Sequence, residues 1–329
     1  MKNDNPVFEP VKVSAFDWQL AVVSQLVALN TQGKLPHAIL VELRTSVDSR
    51  SFGWFLASAL LCQSLDSEHP CGHCQSCQLM ISNNYPDFTF STLTENEKTH
   101  KLNKDIKIEQ IRRLIHQFSL TNNLQSGKIA LIYPAEKLNQ SSANSLLKTL
   151  EEPSADSTLI LLTHNAGRLP VTIRSRCQKW VIKNPPMDEA SKWLAQKEMP
   201  SDQIKDYLHL ARNDAQLAHQ LYQLEFKLLQ DQFSGLLNKY LSDQIDIVSM
   251  VKQFKFPDSQ HLRLVLKTEL SNMIYNLLQN KLTIALKQKL AGLINLSAGL
   301  DRALQVEDNN LNLLLQFEDV LISLKQIVK

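Results

Sequence analysis

Four of the five cysteines lie close together in the chain, between positions 62 and 77. Eight residues separate Cys62 from Cys71, and two-residue gaps separate Cys71, Cys74 and Cys77. Such gaps allow neighbouring thiolates to bind one ion, and four thiolates make a tetrahedral structural zinc site with no open position for a catalytic water. We therefore predict one structural Zn²⁺ per chain, held by Cys62, Cys71, Cys74 and Cys77.

An iron–sulfur cluster is the competing assignment for these cysteines. The ferredoxin spacing requires a further cysteine four residues after Cys77, followed by proline, and that position is Ile81. Zinc is therefore preferred, while His69 and His73 stay open as alternative ligands. Disulfides are disfavoured because the chain has no evident secretory signal.

The second chemically useful group is a pair of arginines, Arg174 and Arg176, which bracket Ser175. They follow the apolar run at 158–163 and precede a shorter one at 178–182, so the sequence predicts two guanidinium groups near the end of a sheet element. Guanidinium groups are planar forks that match phosphate. The alternative is a surface arginine paired with a carboxylate.

A series of short apolar runs must position these residues. The runs KIALIY at 128–133 and TLILLT at 158–163 lack polar alternation, which is typical of strands covered on both faces of a parallel sheet. Helical patterns separate most of the runs, so we predict an α/β domain with a five-stranded parallel sheet and helices on both faces. The predicted strands lie at 38–41, 87–91, 128–133, 158–163 and 178–182.

One segment makes the chain recognisable. The motif LLKTLEEP at 146–153 begins within a predicted helix at 141–151 and ends at the proline that stops it. The turn Ser175-Arg176-Cys177 follows the next strand. With both motifs the chain resembles the clamp-loader branch of the AAA+ proteins. The resemblance implies an AAA+ RecA-like domain with the zinc module inserted in it. It also implies that Arg176 is a trans-acting arginine finger, which reaches the γ-phosphate of ATP held by a neighbouring subunit.

The phosphate-binding loop of that family is degenerate here. Such a loop needs glycines so that backbone N–H groups wrap the phosphates, then a lysine and a hydroxyl. Residues 42–50 contain no glycine: Leu43 and Asp48 take the glycine positions, Ser49 the lysine position and Arg50 the hydroxyl position. Asp48 adds a negative charge where phosphates would sit. We therefore predict a strand-to-helix connection that binds no ATP.

The metal-binding carboxylates are absent as well. Active ATPases of this type end the strand at 128–133 with Asp-Glu, for magnesium and for the attacking water. Here Pro134-Ala135 take those places and Glu136 comes one position late. Thr163 matches the family's sensor position. Because the phosphate-binding loop and the metal-binding carboxylates are both lost, we expect no catalytic site on this chain itself.

Beyond Pro185-Pro186 the sequence contains only helical patterns. Helices at 188–197, 201–211 and 214–224 predict a small lid, in which Arg212-Asn213-Asp214-Ala215 replaces the family's Gly-Ser-x-Arg. The remainder predicts a helical bundle with breaks near 256–257 and between Gly292 and Gly299. Its segment 309–319 resembles the family's ring-forming collar helix, although a buried helix within one chain would look the same. The predicted domains are 1–184, 185–225 and 226–329.

The amino-acid composition excludes few classes of function. Hydrophobic residues make up 43% and charged residues 21%, and the net charge of +2 gives no general argument for nucleic-acid binding. No window approaches the ~18 consecutive apolar residues of a membrane span. The first residues lack the apolar region of a signal peptide. We therefore expect a cytoplasmic protein.

The resemblance as a whole implies a non-hydrolysing subunit of the pentameric clamp loader of bacterial DNA polymerase III. Its expected neighbours are gamma or tau on one side and delta on the other, with the sliding clamp and primed DNA reached through the complex. One alternative is an active gamma-type ATPase, which would need Gly and Lys near 43–49 and Asp-Glu at 134–135. Another is a zinc module that binds nucleic acid, which would need aromatic and basic residues among the cysteines.

Overall fold

The computed structural model describes residues 15–43, 49–65, 69–95, 102–120, 127–255, 259–279, 283–303 and 313–328. The chain divides into two compact units, Met1–Ala218 and His219–Lys329. The first unit contains the sheet and the second is built from helices.

A five-stranded sheet forms the centre of the described part of the first unit. The strand order is β2-β3-β4-β1-β5, and every neighbouring pair is parallel. This confirms the predicted α/β class and five-stranded parallel sheet. The strands are β1 (Ala38–Leu43), β2 (Phe88–Ser91), β3 (Lys128–Ile132), β4 (Ser157–Thr163) and β5 (Gln178–Ile182).

Helices cover both faces of this sheet because side chains alternate along its buried strands. In β1, Ile39 and Val41 pack in the core that includes α1 and α2, whereas Ala38 and Leu40 pack in the core that includes α4 and α5. The helices of this part are α1 (Asp17–Thr31), α2 (Ser49–Leu61), α3 (Gln75–Ile81), α4 (Ile108–Ser119), α5 (Gln140–Glu151) and α6 (Val171–Arg174).

Helix α2 lies unusually close to the sheet. A Cβ atom added at Gly53 would come within 3.0 Å of side-chain atoms of Leu131 and Leu162. All but one of its residues are buried, and the helix ends at Leu61, immediately before Cys62. The packing of α2 therefore fixes where the first cysteine lies.

Three further helices follow the sheet: α7 (Met187–Gln196), α8 (Ser201–Leu210) and α9 (Ala215–Gln223). Trp193 of α7 makes edge-to-face contacts with Phe16 and with Trp18 of α1, with ring centroids 5.5 and 5.9 Å apart. These aromatic contacts join the first helix of the predicted lid to the layer over the sheet, and α7 and α8 lie wholly in the first compact unit. The division into three domains remains a prediction.

The second unit contains α10 (Phe226–Leu241), α11 (Ile247–Gln253), α12 (Ser259–Leu278), α13 (Ile284–Ala303) and α14 (Leu313–Val328). The predicted break at 256–257 lies outside the described residues, as do residues 309–312 of the segment 309–319, whereas residues 313–319 begin α14. The predicted break between Gly292 and Gly299 is wrong, since α13 runs through both. A Cβ at Gly292 would lie 2.9 Å from Cγ2 of Ile327, so this glycine permits close packing of α13 on α14.

Among the described helices, none combines the length and the apolar character that crossing a membrane requires.

Candidate functional site

The four cysteines come together around α3. Cys62 follows α2, Cys71 lies in the connecting loop, Cys74 caps the N-terminus of α3 and Cys77 lies within its first turn. The four Sγ atoms all lie within 4.8 Å of one another. The structure thus assembles the four residues that the spacing singles out.

The distances between the sulfur atoms fit a tetrahedral metal site. The Sγ atoms of Cys62 and Cys77 are 3.6 Å apart, and the pairs Cys62–Cys74 and Cys71–Cys77 are each 3.9 Å apart. A zinc ion bound at ~2.3 Å by four sulfurs requires an S···S separation of about 3.8 Å. A disulfide needs about 2.05 Å, and all five cysteines are free thiols.

Backbone N–H groups surround these sulfurs. The amides of Cys71, Cys74 and Cys77 donate to the Sγ atoms of Cys62, Cys71 and Cys74 at 3.4, 3.3 and 3.4 Å. Such bonds stabilise thiolate, which is the form that binds metal. Burial acts to raise the pKa of Cys74, but hydrogen bonds from backbone N–H groups and from the side chains of Cys77 and Cys71 together outweigh it and lower that pKa to about 6. Burial raises the pKa of Cys62 and of Cys77.

Neither histidine of this region joins the group of sulfurs. Nδ1 of His73 lies 2.8 Å from the carbonyl oxygen of Cys71, and the ring of His69 stands edge-to-face on Phe55 at 5.5 Å. The donor set is therefore four sulfurs. Four soft thiolates in a tetrahedron suit zinc.

The carboxyl edge of the sheet is where parallel α/β sheets bind ligands. Here the turn after β3 places Glu136 beside the end of β4. The Thr163 hydroxyl donates to Oε2 of Glu136 at 2.7 Å, and the backbone N–H of His164 donates to Oε1 at 3.4 Å. Both carboxylate oxygens of Glu136 thus accept hydrogen bonds from residues at the end of β4.

Other polar groups at the same edge also contact one another. Nε2 of His164 lies 3.0 Å from the Tyr133 hydroxyl and 3.5 Å from Oγ of Ser49. Glu42, near the end of β1, forms an ion pair of 2.7 Å with Lys179 of β5 and accepts the backbone N–H of Ala166 at 3.3 Å. These contacts place further polar side chains along the carboxyl edge of the sheet, beside Glu136.

The predicted phosphate-loop equivalent is described only at its ends. Leu43 ends β1, and Ser49 and Arg50 begin α2. Asp48, predicted at a glycine position, lies outside the described residues. Arg212, the first residue of the segment that stands in place of the family's Gly-Ser-x-Arg, is exposed in a left-handed turn (φ 52°) after α8.

Arg176 lies on the exposed turn between α6 and β5. Its Nη2 atom forms an ion pair of 2.6 Å with Oε1 of Glu151, the last residue of α5, and its Nη1 donates to the carbonyl oxygen of Thr172 at 3.0 Å. The side chains of Arg176 and Glu151 are 36% and 51% exposed. A pair this exposed contributes about 0–1 kcal/mol to folding.

Sequence reasoning missed three residues that the structure brings into these sites: Glu42, Glu151 and His164. Glu151 belongs to the LLKTLEEP motif and is the last residue of α5, so the motif is a local signal for it. Glu42 and His164 carry no local signal, because their contacts depend on the order of the strands. Arg174, the other member of the arginine pair, is exposed.

Comparison with known proteins gives a consistent family. Residues 18–186, more than half of the chain, match the family model described as DNA polymerase III, delta subunit. The DNA polymerase III subunit delta' of Pseudomonas aeruginosa is 32% identical over 232 residues, which cover 70% of this chain and 68% of that one. The subunit delta' of Escherichia coli is 30% identical over 63% of this chain and 61% of that one.

Among solved structures, a DNA polymerase III gamma-subunit-related protein from Thermotoga maritima aligns with 94% of this chain and 100% of its own, at 17% identity and a TM-score of 0.47. The family assignment rests on the sequence matches alone. By those matches, the chain belongs to the DNA polymerase III delta-subunit family, together with these delta' proteins.

Proposed function

We propose that the chain acts as the non-hydrolysing delta' subunit of the DNA polymerase III clamp loader. In this role it binds a gamma or tau subunit on one side and the delta subunit on the other, within a hetero-pentamer in the cytoplasm. The complex loads the sliding clamp onto primed DNA, and this chain reaches both through its partners. Arg176 supplies positive charge to ATP held by the neighbouring gamma or tau subunit.

The observation that carries the proposal is the exposure of Arg176 on the turn after α6. An exposed guanidinium can reach a phosphate on another subunit, and its charge stabilises the charge that develops during phosphoryl transfer. The carboxyl edge of this chain's sheet also supports a subunit that does not itself hydrolyse ATP. There, Glu136 already accepts hydrogen bonds from Thr163 and His164, so a magnesium ion would have to displace them.

The zinc assignment is part of the proposal. Cys62, Cys71, Cys74 and Cys77 would hold one Zn²⁺, whose role is structural because four thiolates fill the tetrahedron. The metal would join the end of α2 to α3. In the same proposal, residues 185–225 form a lid and residues 226–329 form the collar through which the subunits assemble.

Substituting Arg176 in the reconstituted loader tests this function. The chain and its Arg176→Ala and Arg174→Ala variants would each be assembled with gamma and delta, checked on a sizing column, and assayed for ATP hydrolysis with clamp and primed DNA. We expect all three to assemble. Arg176→Ala should slow the hydrolysis by up to ~10³-fold, and by less if other sites continue to turn over. Arg174→Ala, a matched loss of an exposed guanidinium, should stay near wild type.

Nucleotide binding by the isolated chain separates the alternatives. A fluorescent ATP analogue at millimolar magnesium should not bind. Tight binding would instead favour an active gamma-type ATPase. Equal slowing by both arginine variants would show a general electrostatic effect, and failure of Arg176→Ala to assemble would make this residue structural.

A further inference from the structure

The guanidinium of Arg176 is held at two points by its own chain. Nη2 pairs with Oε1 of Glu151 at 2.6 Å, and Nη1 donates to the carbonyl oxygen of Thr172 at 3.0 Å. A longer contact of 3.5 Å joins Nη1 to Oγ of Ser175. The side chain therefore bridges the C-terminus of α5 and the helix α6, although 36% of it is exposed.

This arrangement leaves binding capacity on the guanidinium. An arginine carries five N–H donors, and the three contacts above use at most three of them. At least two donors remain for a phosphate oxygen of another subunit. The contact with Glu151 therefore fixes the direction of the group without using up its hydrogen-bonding capacity.

We propose that Glu151 is a positioning residue that orders Arg176 before it meets the neighbour's ATP. The inference rests on the proposed arginine-finger function. A free arginine side chain loses rotamer freedom when it binds, and an already ordered one loses less, so ordering it in advance favours the productive geometry. Glu151 is suited to this role because it ends α5, a helix anchored in the core by Leu146 and Leu150.

The carboxylate of Glu151 also has an opposing electrostatic effect. The carboxylate of Glu151 reduces the net positive charge that Arg176 offers to phosphate. This carboxylate is 51% exposed, and charge effects between exposed groups are screened by water and salt. The restraint acts through contacts of 2.6 and 3.0 Å, at which screening is weaker than over the longer distance from the carboxylate to a phosphate on the neighbouring subunit. The ordering effect therefore prevails and Glu151 favours hydrolysis.

Three variants in the reconstituted loader test the proposal: Glu151→Ala, Glu151→Gln and the neighbouring control Glu152→Ala. Glu151→Ala should lower kcat for ATP about threefold to tenfold, equivalent to roughly 0.6–1.4 kcal/mol of barrier, with KM little changed. Glu151→Gln keeps an acceptor oxygen and should recover most of that loss. Glu152→Ala, at the next exposed position, should match wild type. Complex formation and the melting temperature of the isolated chain should not change in any of them.

The double variant Glu151→Ala/Arg176→Ala should be no slower than Arg176→Ala alone, because Glu151 acts through Arg176. Faster hydrolysis by Glu151→Ala, or a rate equal to wild type, would overturn the positioning role. So would a Glu151→Gln variant as slow as the alanine variant. If Arg176→Ala itself has no effect, the proposed function fails. If Arg176→Ala slows hydrolysis but Glu151→Ala does not, only this inference fails.

Discussion

The hydroxyl of Thr163, at the carboxyl end of β4, donates a hydrogen bond of 2.7 Å to Oε2 of Glu136 in the turn that follows β3. The Thr163 side chain is fully buried, and the second carboxylate oxygen accepts the backbone N–H of His164 at 3.4 Å. The carboxylate therefore joins the turn after β3 to the end of β4 at the carboxyl edge of the sheet.

Replacing Glu136 by alanine should lower the free energy of unfolding by about 1–3 kcal/mol, because the buried Thr163 hydroxyl loses its acceptor. Adding Thr163→Val should restore only part of this loss: it removes the unpaired hydroxyl, but the backbone N–H of Asn165, which donates to that hydroxyl at 3.1 Å, loses its acceptor. Urea unfolding of the two single variants and the double variant measures the coupling. Additive losses, with no recovery in the double variant, would show that the pair contributes nothing specific.

Removing the metal should loosen the region around α3. We expect about one zinc per purified chain by elemental analysis, from the four-thiolate donor set, and we expect a chelator or Cys74→Ser to lower the melting temperature. Replacing Cys177, the half-buried cysteine outside the cluster, by serine is the control for loss of a thiol and should leave the zinc content unchanged. Iron with acid-labile sulfide, or no metal at all, would contradict the zinc assignment.

Zinc binding should depend on pH in a defined direction. Burial raises the pKa values of Cys62 and Cys77 above the ordinary value of 9.0, so without metal both thiols hold their protons at neutral pH. Zinc binds thiolates and must displace these protons. Affinity should therefore fall as pH is lowered, and titration calorimetry in buffers of different ionisation enthalpy should detect proton release at pH 7. Binding without proton release would mean that the thiols are already ionised.

Replacing each of two glycines of α13 by alanine should change the protein's stability in opposite directions. A Cβ at Gly292 would lie 2.9 and 3.1 Å from Cγ2 and Cγ1 of Ile327, whose β-branched side chain has little freedom to move. Overpacking costs about 1–3 kcal/mol, against up to ~1 kcal/mol of gained helix propensity, so Gly292→Ala should destabilise. Gly299 has open space and Gly299→Ala should stabilise by up to ~1 kcal/mol. Thermal unfolding of both variants measures the difference, and equal shifts would contradict the close α13–α14 packing.

Trp193 should hold α7 on α1. Its ring lies 5.9 Å from that of Trp18 and 5.5 Å from that of Phe16. Trp193→Ala should lower the free energy of unfolding by about 1–3 kcal/mol. This is less than the loss for a fully buried tryptophan, because the ring is half-buried. Trp193→Phe keeps an aromatic ring and should recover part of the loss. Denaturant unfolding measures the free energy of unfolding of both variants, with Lys192→Ala as a control at an exposed site. If Trp193→Ala lowers that free energy no more than the control does, the ring contacts contribute little.

Local patterns predicted the strands well because each pattern reflects burial at consecutive positions. The predicted strand at 128–133 and β3 (Lys128–Ile132) differ by one residue, and the strand at 178–182 coincides with β5. The cysteine spacing likewise identified all four members of the sulfur cluster, since three of them are separated by only two residues. In α13 the same reasoning failed. The sequence predicts a break between Gly292 and Gly299, but α13 runs through both, and the close approach of Gly292 to Ile327 accounts for a glycine inside this helix.

The sequence by itself determined the elements, the cysteine cluster and the family motifs, because these depend on residues that are near one another in the chain. Only the tertiary structure decided the partners of the charged groups. Glu136 meets Thr163, 27 residues away, because β3 and β4 are neighbours in the sheet. Arg176 meets Glu151 because α5 ends beside α6. These contacts depend on the order of strands and the packing of helices, and no local pattern encodes either.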